Sequence, residues 1–461
     1  MYPFSASQQP NTPALAKNDP DLERPIDRAG SANGKNFPAA AEINHSGSDK
    51  RLLVLGGSRS WFPNFEHALL ELRPNWSAQQ ALDPNQAPAL LSSSSFDALI
   101  IHKDVAQAPK LLRGLKEQFP QVLSFSLRDA AGNGVAVSAF ESAPKVVNDQ
   151  IETAETVVRT VLTHEWTSQP ALRELLGQIK KLPTLPRMHT QVTRELQSPN
   201  GSLEVVSQYV RKDPVMAAKF LQVINSAAYA LAYTVADPAE AVMFLGAMRT
   251  RALILMAGVF SQFDELKCSS FSPEQIWQHS LHVASLAQGI TLIQTEDPTL
   301  AELAFTAGLL HDIGKLVLVG NLPDMYATAH KLQQYKQIPE SEAELTILNT
   351  THAELGACLL GTWRLPLRIV EAVAWHHCPS QGCDTSFSVL TAVHAGNVLA
   401  HETMGENARI GLPSRFDVFY LAQLGMASRR NVWREACGMP SKDEEITFED
   451  TIRRRLEAKH I

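Results

Sequence analysis

The sequence lacks the features of secreted, membrane-spanning and nucleic-acid-binding proteins. Its 461 residues include only five cysteines, an odd number that favours a reduced protein over a disulfide framework. The N-terminus has no signal-peptide pattern. The longest uninterrupted apolar run, residues 252–260, is far too short to cross a bilayer. Lysine and arginine (41) are fewer than aspartate and glutamate (48), which argues against bulk electrostatic binding of nucleic acid. We therefore expect a soluble, cytoplasmic protein without membrane or nucleic-acid partners.

The first fifty residues differ in composition from the rest of the chain. Residues 1–50 are rich in proline, serine, asparagine, alanine and glycine, and they show no sustained apolar period. A segment of this kind cannot bury enough apolar surface to offset the entropy lost on ordering. We predict a disordered leader.

Residues 51–166 alternate short apolar runs with amphipathic stretches. The predicted strands are residues 52–55, 96–101, 122–126 and 135–139, and the predicted helices are residues 64–72, 106–119 and 144–166. Strands that alternate with helices are typical of a parallel, doubly wound α/β sheet. We predict a domain of the flavodoxin-like class here.

This region resembles the receiver domain of bacterial response regulators in its order of elements. The resemblance implies an acidic pair after the first strand and a phosphoacceptor aspartate after the third. Gly56 and Gly57 stand at the first position, and His102 stands at the second; Ser126 falls at the usual switch hydroxyl. Without carboxylates there is no oxygen cage for magnesium. We therefore predict a degenerate, receiver-like domain with no phosphoacceptor, which serves for docking or homodimerisation.

After residue 171 the strand pattern ends and helical spacing continues to about residue 400. Four motifs occur in order: Leu182-Pro183-Thr184-Leu185-Pro186, Asp213-Pro214 with Lys219, Asn225-Ser226-Ala227, and Ala241-Val242 with Leu245-Gly246. This series resembles the HDOD family, the HD-related output domains of bacterial signalling proteins. The resemblance implies an all-α fold of the HD superfamily over residues 172–380. We expect residues 381–461 to form a helical extension.

An adjacent pair, His311-Asp312, ends an apolar segment and is flanked by Gly308 and Gly314. Imidazole and carboxylate groups are common ligands of divalent metals. HD phosphohydrolases, which this part resembles, also use an early histidine, further histidines and a late aspartate. The matching positions here are His279, the pair His311-Asp312, His352, the doublet His376-His377, and Asn397 in place of the late aspartate.

The resemblance implies one or two divalent ions, such as iron, manganese or zinc, held by these residues. In an active site Lys315 would stabilise developing negative charge on a phosphorus ester. The alternative is that the histidines are hydrogen-bonded core groups inherited with the fold. The Gly-Tyr-Pro signature of the subgroup that degrades cyclic dinucleotides does not follow His376-His377, so that activity is not supported.

Other candidates carry a weaker signal. We interpret His282, His394 and His401 as structural or surface residues. Cys378 and Cys383 could bind zinc with the neighbouring histidines, but an inert, reduced pair is the simpler interpretation.

Two functions remain open. In the first, the protein is a signal-transduction regulator whose HDOD domain acts mainly through contacts with other signalling proteins. In the second, it is a metal-dependent phosphohydrolase or phosphodiesterase acting on a nucleotide-like substrate. The histidines favour the enzyme, whereas Asn397 and the missing Gly-Tyr-Pro favour the regulator.

Overall fold

The structure of the protein, a computed structural model, describes residues 49–127, 149–198, 201–226, 231–263, 272–403 and 415–439. The predicted leader lies outside these residues except for its last two, and Lys50 already belongs to the first strand. The predicted strand at 135–139 and the first residues of the predicted helix at 144–166 also lie outside the described residues.

A four-stranded parallel sheet with the order β2-β1-β3-β4 forms the centre of the N-terminal part. The strands are β1 (Lys50–Leu55), β2 (Trp76–Ala81), β3 (Ala98–Ile101) and β4 (Leu123–Ser126). In the central strand β1, Leu52, Leu53, Val54 and Leu55 are all fully buried. Burial on both faces of an apolar strand is typical of a parallel sheet covered by helices. The sheet is compatible with the predicted flavodoxin-like class, and the receiver-like assignment remains a prediction.

Strand β2 was not predicted. Its sequence, WSAQQA, contains no β-branched residue, and its interior side chains are at least partly exposed between the buried Trp76 and Ala81. Among the described strands it lies at the edge and pairs with β1, in a register that places Trp76 opposite Lys50. Its pairing with β1 therefore outweighs the weak local preference of its residues for extended structure.

Helices cover the sheet, and the elements that follow the sheet in the described chain are also helices. The helices of the N-terminal part are α1 (Phe62–Leu72), α2 (Ala87–Ser93), α3 (Ala108–Gln118) and α4 (Asp149–Ser168). The helices that follow are α5 (Pro170–Gln178), α6 (Arg187–Gln197), α7 (Leu203–Lys212), α8 (Pro214–Ile224), α9 (Pro238–Phe260), α10 (Pro273–Thr295), α11 (Pro298–Leu310), α12 (Ile313–Asn321), α13 (Pro323–Lys336), α14 (Glu340–Leu348), α15 (His352–Thr362), α16 (Leu367–Trp375), α17 (Val389–Thr403), α18 (Val418–Gln423) and α19 (Arg429–Ala436).

The helix boundaries follow from local chemistry. The Asp213 side chain accepts hydrogen bonds from the N–H groups of Val215 and Met216, and Pro214 occupies the first turn of α8. Thr351 and Glu354 form a reciprocal capping box at the start of α15. This cap fixes the position of His352, the first residue of that helix.

Helix α4 belongs to both parts of the molecule. It packs against α1 on one face of the sheet, and it also contacts α15 and α16 of the helical part. The ion pair between Lys50 and Glu165, at 2.5 Å, ties it to β1. One continuous apolar core includes side chains from the sheet, from α4 and from the helices beyond it. The predicted domain limits at 51–166, 172–380 and 381–461 remain predictions.

Two helical stretches of the described chain are long and apolar enough to cross a membrane by length and composition alone. They are Pro238–Phe263 and Pro298–Asn321, and 67% and 94% of their most apolar windows are buried inside the protein. Such burial is also typical of core helices in soluble proteins. The prediction from uninterrupted apolar runs overlooked these stretches because isolated polar residues such as Arg249 and His311 divide them. The cytoplasmic location remains a prediction.

Candidate metal centre

The predicted ligands come together from four separate places in the chain. His311 and Asp312 form the turn between α11 and α12, His352 begins α15, and His376 follows the last residue of α16. The Asp312 Oδ1 atom lies 3.4 Å from His311 Nε2, 3.2 Å from His352 Nε2 and 3.9 Å from His376 Nε2. His279, on α10, lies with its Nε2 atom 3.8 Å from Asp312 Oδ2.

Backbone carbonyls fix the tautomers of two of these histidines. His311 Nδ1 is 2.7 Å from the carbonyl oxygen of Gly308, and His376 Nδ1 is 2.9 Å from that of Val373. A carbonyl oxygen only accepts, so each Nδ1 carries the proton and donates it. Burial lowers the pKa of both imidazoles, which favours their neutral forms. Each Nε2 atom therefore presents a lone pair to the centre of the site.

This arrangement fits a cation. His311 Nε2, His376 Nε2 and Asp312 Oδ1 are buried and have no hydrogen-bond partner among the described residues. Two imidazole lone pairs thus face a carboxylate oxygen, although all three groups are acceptors. Buried acceptors left in this way cost free energy unless a proton, a water molecule or a cation lies between them. The donor set of nitrogen and oxygen atoms suits zinc, iron or manganese.

His352 is oriented by a carboxylate that the sequence reasoning missed. Its Nδ1 lies 2.7 Å from Glu344 Oε2, and its backbone N–H donates to the same oxygen at 2.9 Å. Burial alone would lower the pKa of His352, but the Glu344 carboxylate, together with a hydrogen bond to Asp312, raises it to about 10. Carboxylates that bind the outer nitrogen of a histidine in this way are typical of metal sites. A signal was present, since Glu340 and Glu344 are spaced i, i+4 on the helix before His352.

Lys315 lies between two carboxylates. Its Nζ is 2.8 Å from Asp312 Oδ2 and 2.9 Å from Glu340 Oε2. Burial lowers the pKa of this ammonium, but Asp312 and Glu340 outweigh that effect and raise it above its usual value. The ammonium therefore stays charged and holds Asp312 in place. Its predicted role toward a developing negative charge remains a prediction.

His279 and Asn397 form a pair at the edge of the site. His279 Nε2 is 3.1 Å from Asn397 Oδ1, where the family pattern has a carboxylate. The His401 ring, which we expected to be structural, lies 4.8 Å from the His279 ring. His394, which we interpreted as a structural or surface residue, is buried; its Nδ1 donates to the carbonyl of His376 at 2.8 Å and its Nε2 accepts from the N–H of Asp417.

The second member of the histidine doublet lies at the rim. His377 Nε2 is 3.1 Å from His352 Nε2, and its ring centroid is 4.0 Å from that of His376. The His377 side chain is half-buried, whereas His311, Asp312, His352 and His376 have exposed fractions between 0 and 2%. The centre is thus enclosed, and His279 and His377 separate it from the surface.

The described residues include three groups of side chains, and within each group the ligand atoms lie close enough together to hold one metal ion. They are His352 with His376 and His377, His279 with His311 and Asp312, and Glu340 with Glu344 and His352. All six predicted ligands occur in them. No cysteine joins such a group in the described chain, so zinc binding by Cys378 and Cys383 has no support. Metal binding itself remains a prediction.

Asp104 lies near the ends of β1 and β3, two residues after the position at which the resemblance places a phosphoacceptor. His102 follows β3 and is buried, and its Nδ1 lies 2.8 Å from Asp104 Oδ1. Both carboxylate oxygens of Asp104 accept from the N–H of Gly57 at 3.1 Å. Gly56 and Gly57 have φ values of 83° and 76°, a conformation that favours glycine. The absence of a phosphoacceptor remains a prediction.

Comparison with known proteins gives one family and several distant relatives. The chain is 22% identical over 319 residues to an uncharacterised protein of Treponema pallidum (strain Nichols), covering 67% of this chain and 61% of that protein. It is 30% identical over 138 residues to ribonuclease Y of Thermus thermophilus, covering 30% of this chain and 19% of that protein. The chain thus spans less than two thirds of the length of either relative.

A solved structure gives a further comparison. The crystal structure of an HDOD domain protein of unknown function from Geobacter sulfurreducens has a TM-score of 0.46 and 22% identity, covering 62% of this chain and 94% of that one. The HDOD domain family itself matches residues 182–379, which include all six predicted metal ligands and Lys315. The chain therefore carries an HDOD domain at residues 182–379.

Proposed function

We propose that the protein is a signal-transduction regulator whose HDOD domain holds a divalent metal in a buried site and acts through contacts with other proteins. The observation that carries the proposal is the enclosed acceptor cluster around Asp312. Its two imidazole lone pairs and one carboxylate oxygen have no hydrogen-bond partner among the described residues. A divalent ion would satisfy all three, and His352 would complete the set of donors by releasing its Nε2 proton when the metal binds.

Enclosure favours regulation over turnover. The four central side chains are at most 2% exposed, so an ion can be held there more readily than a nucleotide-sized substrate can reach it. Asn397 supplies a neutral amide where a catalytic HD site would have a carboxylate. A buried ion in such a site stabilises the relative positions of α11, α15 and α16. A surface formed by these helices would then depend on the ion.

A metal-dependent phosphohydrolase is the second candidate. Lys315 and the rim histidines His279 and His377 surround the centre with groups that can bind or protonate a phosphoryl oxygen. A bound divalent ion supplies Lewis acidity in such sites. The similarity to ribonuclease Y, a protein named for acting on RNA, also supports this candidate, although it covers only 19% of that protein.

The N-terminal part would serve for docking or homodimerisation. Neither Gly56 nor Gly57 can bind magnesium through a side chain, and His102 stands at the acceptor position. Other signalling proteins are the partners that we propose for the HDOD domain.

The two candidates are distinguished by loading tag-free protein with Mn²⁺ and following two readouts in parallel. One is hydrolysis of bis(p-nitrophenyl) phosphate, and the other is the set of proteins crosslinked to the full chain in its native cells. Regulation predicts no hydrolysis above that of His311→Ala, and a crosslinked set that changes in this variant. Hydrolysis that is lost in His311→Ala, with an unchanged crosslinked set, would establish the enzyme instead.

A further inference from the structure

Helix α16 carries two of the candidate ligands at its end. His376 and His377 follow its last residue, Trp375, directly. Any shift of the helix along its axis would therefore move both imidazoles. Contacts from the N-terminal part reach the start, the middle and the end of this helix.

An ion pair holds the middle of α16. Arg73, the residue after α1, pairs through Nη2 with Glu371 Oε1, and its Nη1 donates to the carbonyl of Leu72 at 2.6 Å. Arg73 is 3% exposed, so this contact is a buried ion pair between the two parts of the chain. Glu371 lies four residues before Trp375, one helical turn from the end of α16.

Helix α4 holds the two ends. Near the start, Arg159 Nη1 donates to the carbonyl of Leu365 at 3.2 Å, and Arg159 is 3% exposed. At the end, the Trp166 ring meets the Trp375 ring edge-on at 6.1 Å between centroids. Both indoles are nearly fully buried. The residue in contact with Trp166 is thus the immediate neighbour of His376.

The same helix contacts α15, which begins with His352. A Cβ atom added at Gly361 would lie 2.3 Å from Thr163 Oγ1, so the two helices pack tightly there. Helix α4 therefore touches both helices that carry candidate ligands from the C-terminal half of the site. On its other side it is fixed to the sheet by α1 and by the ion pair between Glu165 and Lys50.

We infer that Arg73, Arg159 and Trp166 are positioning residues for the metal centre, and that the N-terminal part sets the metal affinity of the HDOD domain through α16. The inference rests on the proposed metal site. Linkage is reciprocal, so a partner bound to the N-terminal part that displaces α4 changes metal affinity, and metal changes affinity for that partner by the same factor. A degenerate receiver-like domain would in this way control the HDOD domain without being phosphorylated.

The test uses the full chain and Co²⁺ alone as the probe. Calorimetric titration gives the dissociation constant, and visible absorption of the bound Co²⁺ reports ligand geometry. Arg73→Gln and Trp166→Phe should raise the dissociation constant at least tenfold and change the absorption spectrum, whereas Arg73→Lys should restore part of the loss. His67→Gln is the matched control, because it removes a surface contact of the N-terminal part, that between His67 and Glu71, whose side chains are both exposed. It should leave the dissociation constant within twofold of that of the original protein.

Side-chain ¹H–¹⁵N spectra of metal-free protein separate this inference from the metal site itself. Arg73→Gln should shift the signals of His376 and His377 and leave those of His189 unchanged. If the original protein binds no Co²⁺, the proposed metal site fails, and these spectra still decide whether α16 positions the histidines. Unshifted signals, or equal effects in His67→Gln, would overturn the inference.

Discussion

Glu344 and His352 form a fully buried carboxylate–imidazole pair, with Oε2 and Nδ1 2.7 Å apart. The Nε2 atom of the same ring faces Asp312 Oδ1 at 3.2 Å. The pair thus places one nitrogen of a single histidine on a carboxylate and the other in the candidate metal centre. The contribution of Glu344 to metal affinity can therefore be measured separately from that of the direct ligands.

Glu344→Gln should weaken metal binding without removing a direct ligand from the centre. The amide cannot supply the negative charge that makes the His352 ring a strong donor, and losses at this kind of outer contact are about 10- to 100-fold in affinity. Calorimetric titration with Mn²⁺ measures the change. Glu342→Gln, on the exposed face of the same helix, is the control and should bind as the original protein does. Equal affinities of the two variants for Mn²⁺ would show that Glu344 does not contribute to metal binding.

Asn397→Asp should bind metal more tightly and be less stable without it. The added carboxylate lies beside His279 Nε2, which is 3.1 Å from the present amide oxygen. It supplies a charged oxygen ligand in the metal-bound protein, but in the metal-free protein it adds one more buried negative charge near Asp312. We expect at least a tenfold lower dissociation constant for Mn²⁺ and a lower melting temperature after dialysis against chelator. Asn397→Ala should bind Mn²⁺ no more tightly than the original protein does. A neutral result for Asn397→Asp in both assays would place Asn397 outside the metal site.

Gly314→Ala should destabilise the protein severely. A Cβ atom there would lie 1.9 Å from the carbonyl oxygen of His352, a backbone atom that cannot move without shifting α15. Overpacking of this kind costs about 1–3 kcal/mol or more in the free energy of unfolding. Gly289→Ala is the matched control, since its Cβ would meet nothing within 4 Å in the middle of α10. Gly289→Ala should raise the free energy of unfolding by about 0.5–1 kcal/mol. Urea denaturation gives the free energy of unfolding of both variants. Similar values would contradict the packing of α12 on α15.

His189 should make the protein less stable as the pH falls. Burial, with a smaller effect from Arg251, lowers the pKa of His189 to about 3. The unfolded chain therefore takes up this proton below about pH 6.5 while the folded protein does not, and the free energy of unfolding falls by about 1.4 kcal/mol per pH unit from this group. Between pH 6.5 and pH 4.5 the loss is about 2–3 kcal/mol.

His189→Gln removes this titration while other buried histidines continue to contribute. Its free energy of unfolding should therefore decline less steeply over the same pH range. Urea denaturation of both proteins at several pH values gives the difference in slope. Parallel slopes would show that His189 is already protonated in the folded protein or titrates equally in both states.

The pair His311-Asp312 was singled out from the residues themselves, because it ends an apolar segment. The positions of His279, His352, His376 and His377 came from the resemblance to HD phosphohydrolases. Glu344 was missed because its importance depends on the turn that brings α14 back onto His352. Contacts of this type are set by tertiary packing and leave little periodic signal.

The central strand β1 was anticipated because its burial is complete, whereas the edge strand β2 was missed. The fully buried run in β1 predicts a strand directly, whereas β2 contains Gln79 and Gln80 and depends on its partner. The shared role of α4 was also not predicted. Its contacts with Trp375 and Gly361 join residues about two hundred positions apart, which local patterns do not encode.

Metal content of protein purified without a metal-binding tag tests the central claim most directly. Elemental analysis should find about one or two equivalents of iron, manganese or zinc per chain, the number that one or two clustered histidine–carboxylate groups hold. His311→Ala should lose this metal while remaining folded by circular dichroism. Metal-free protein whose melting temperature does not change on addition of Mn²⁺, Fe²⁺ or Zn²⁺ would contradict the account and leave the histidines as core groups of the fold.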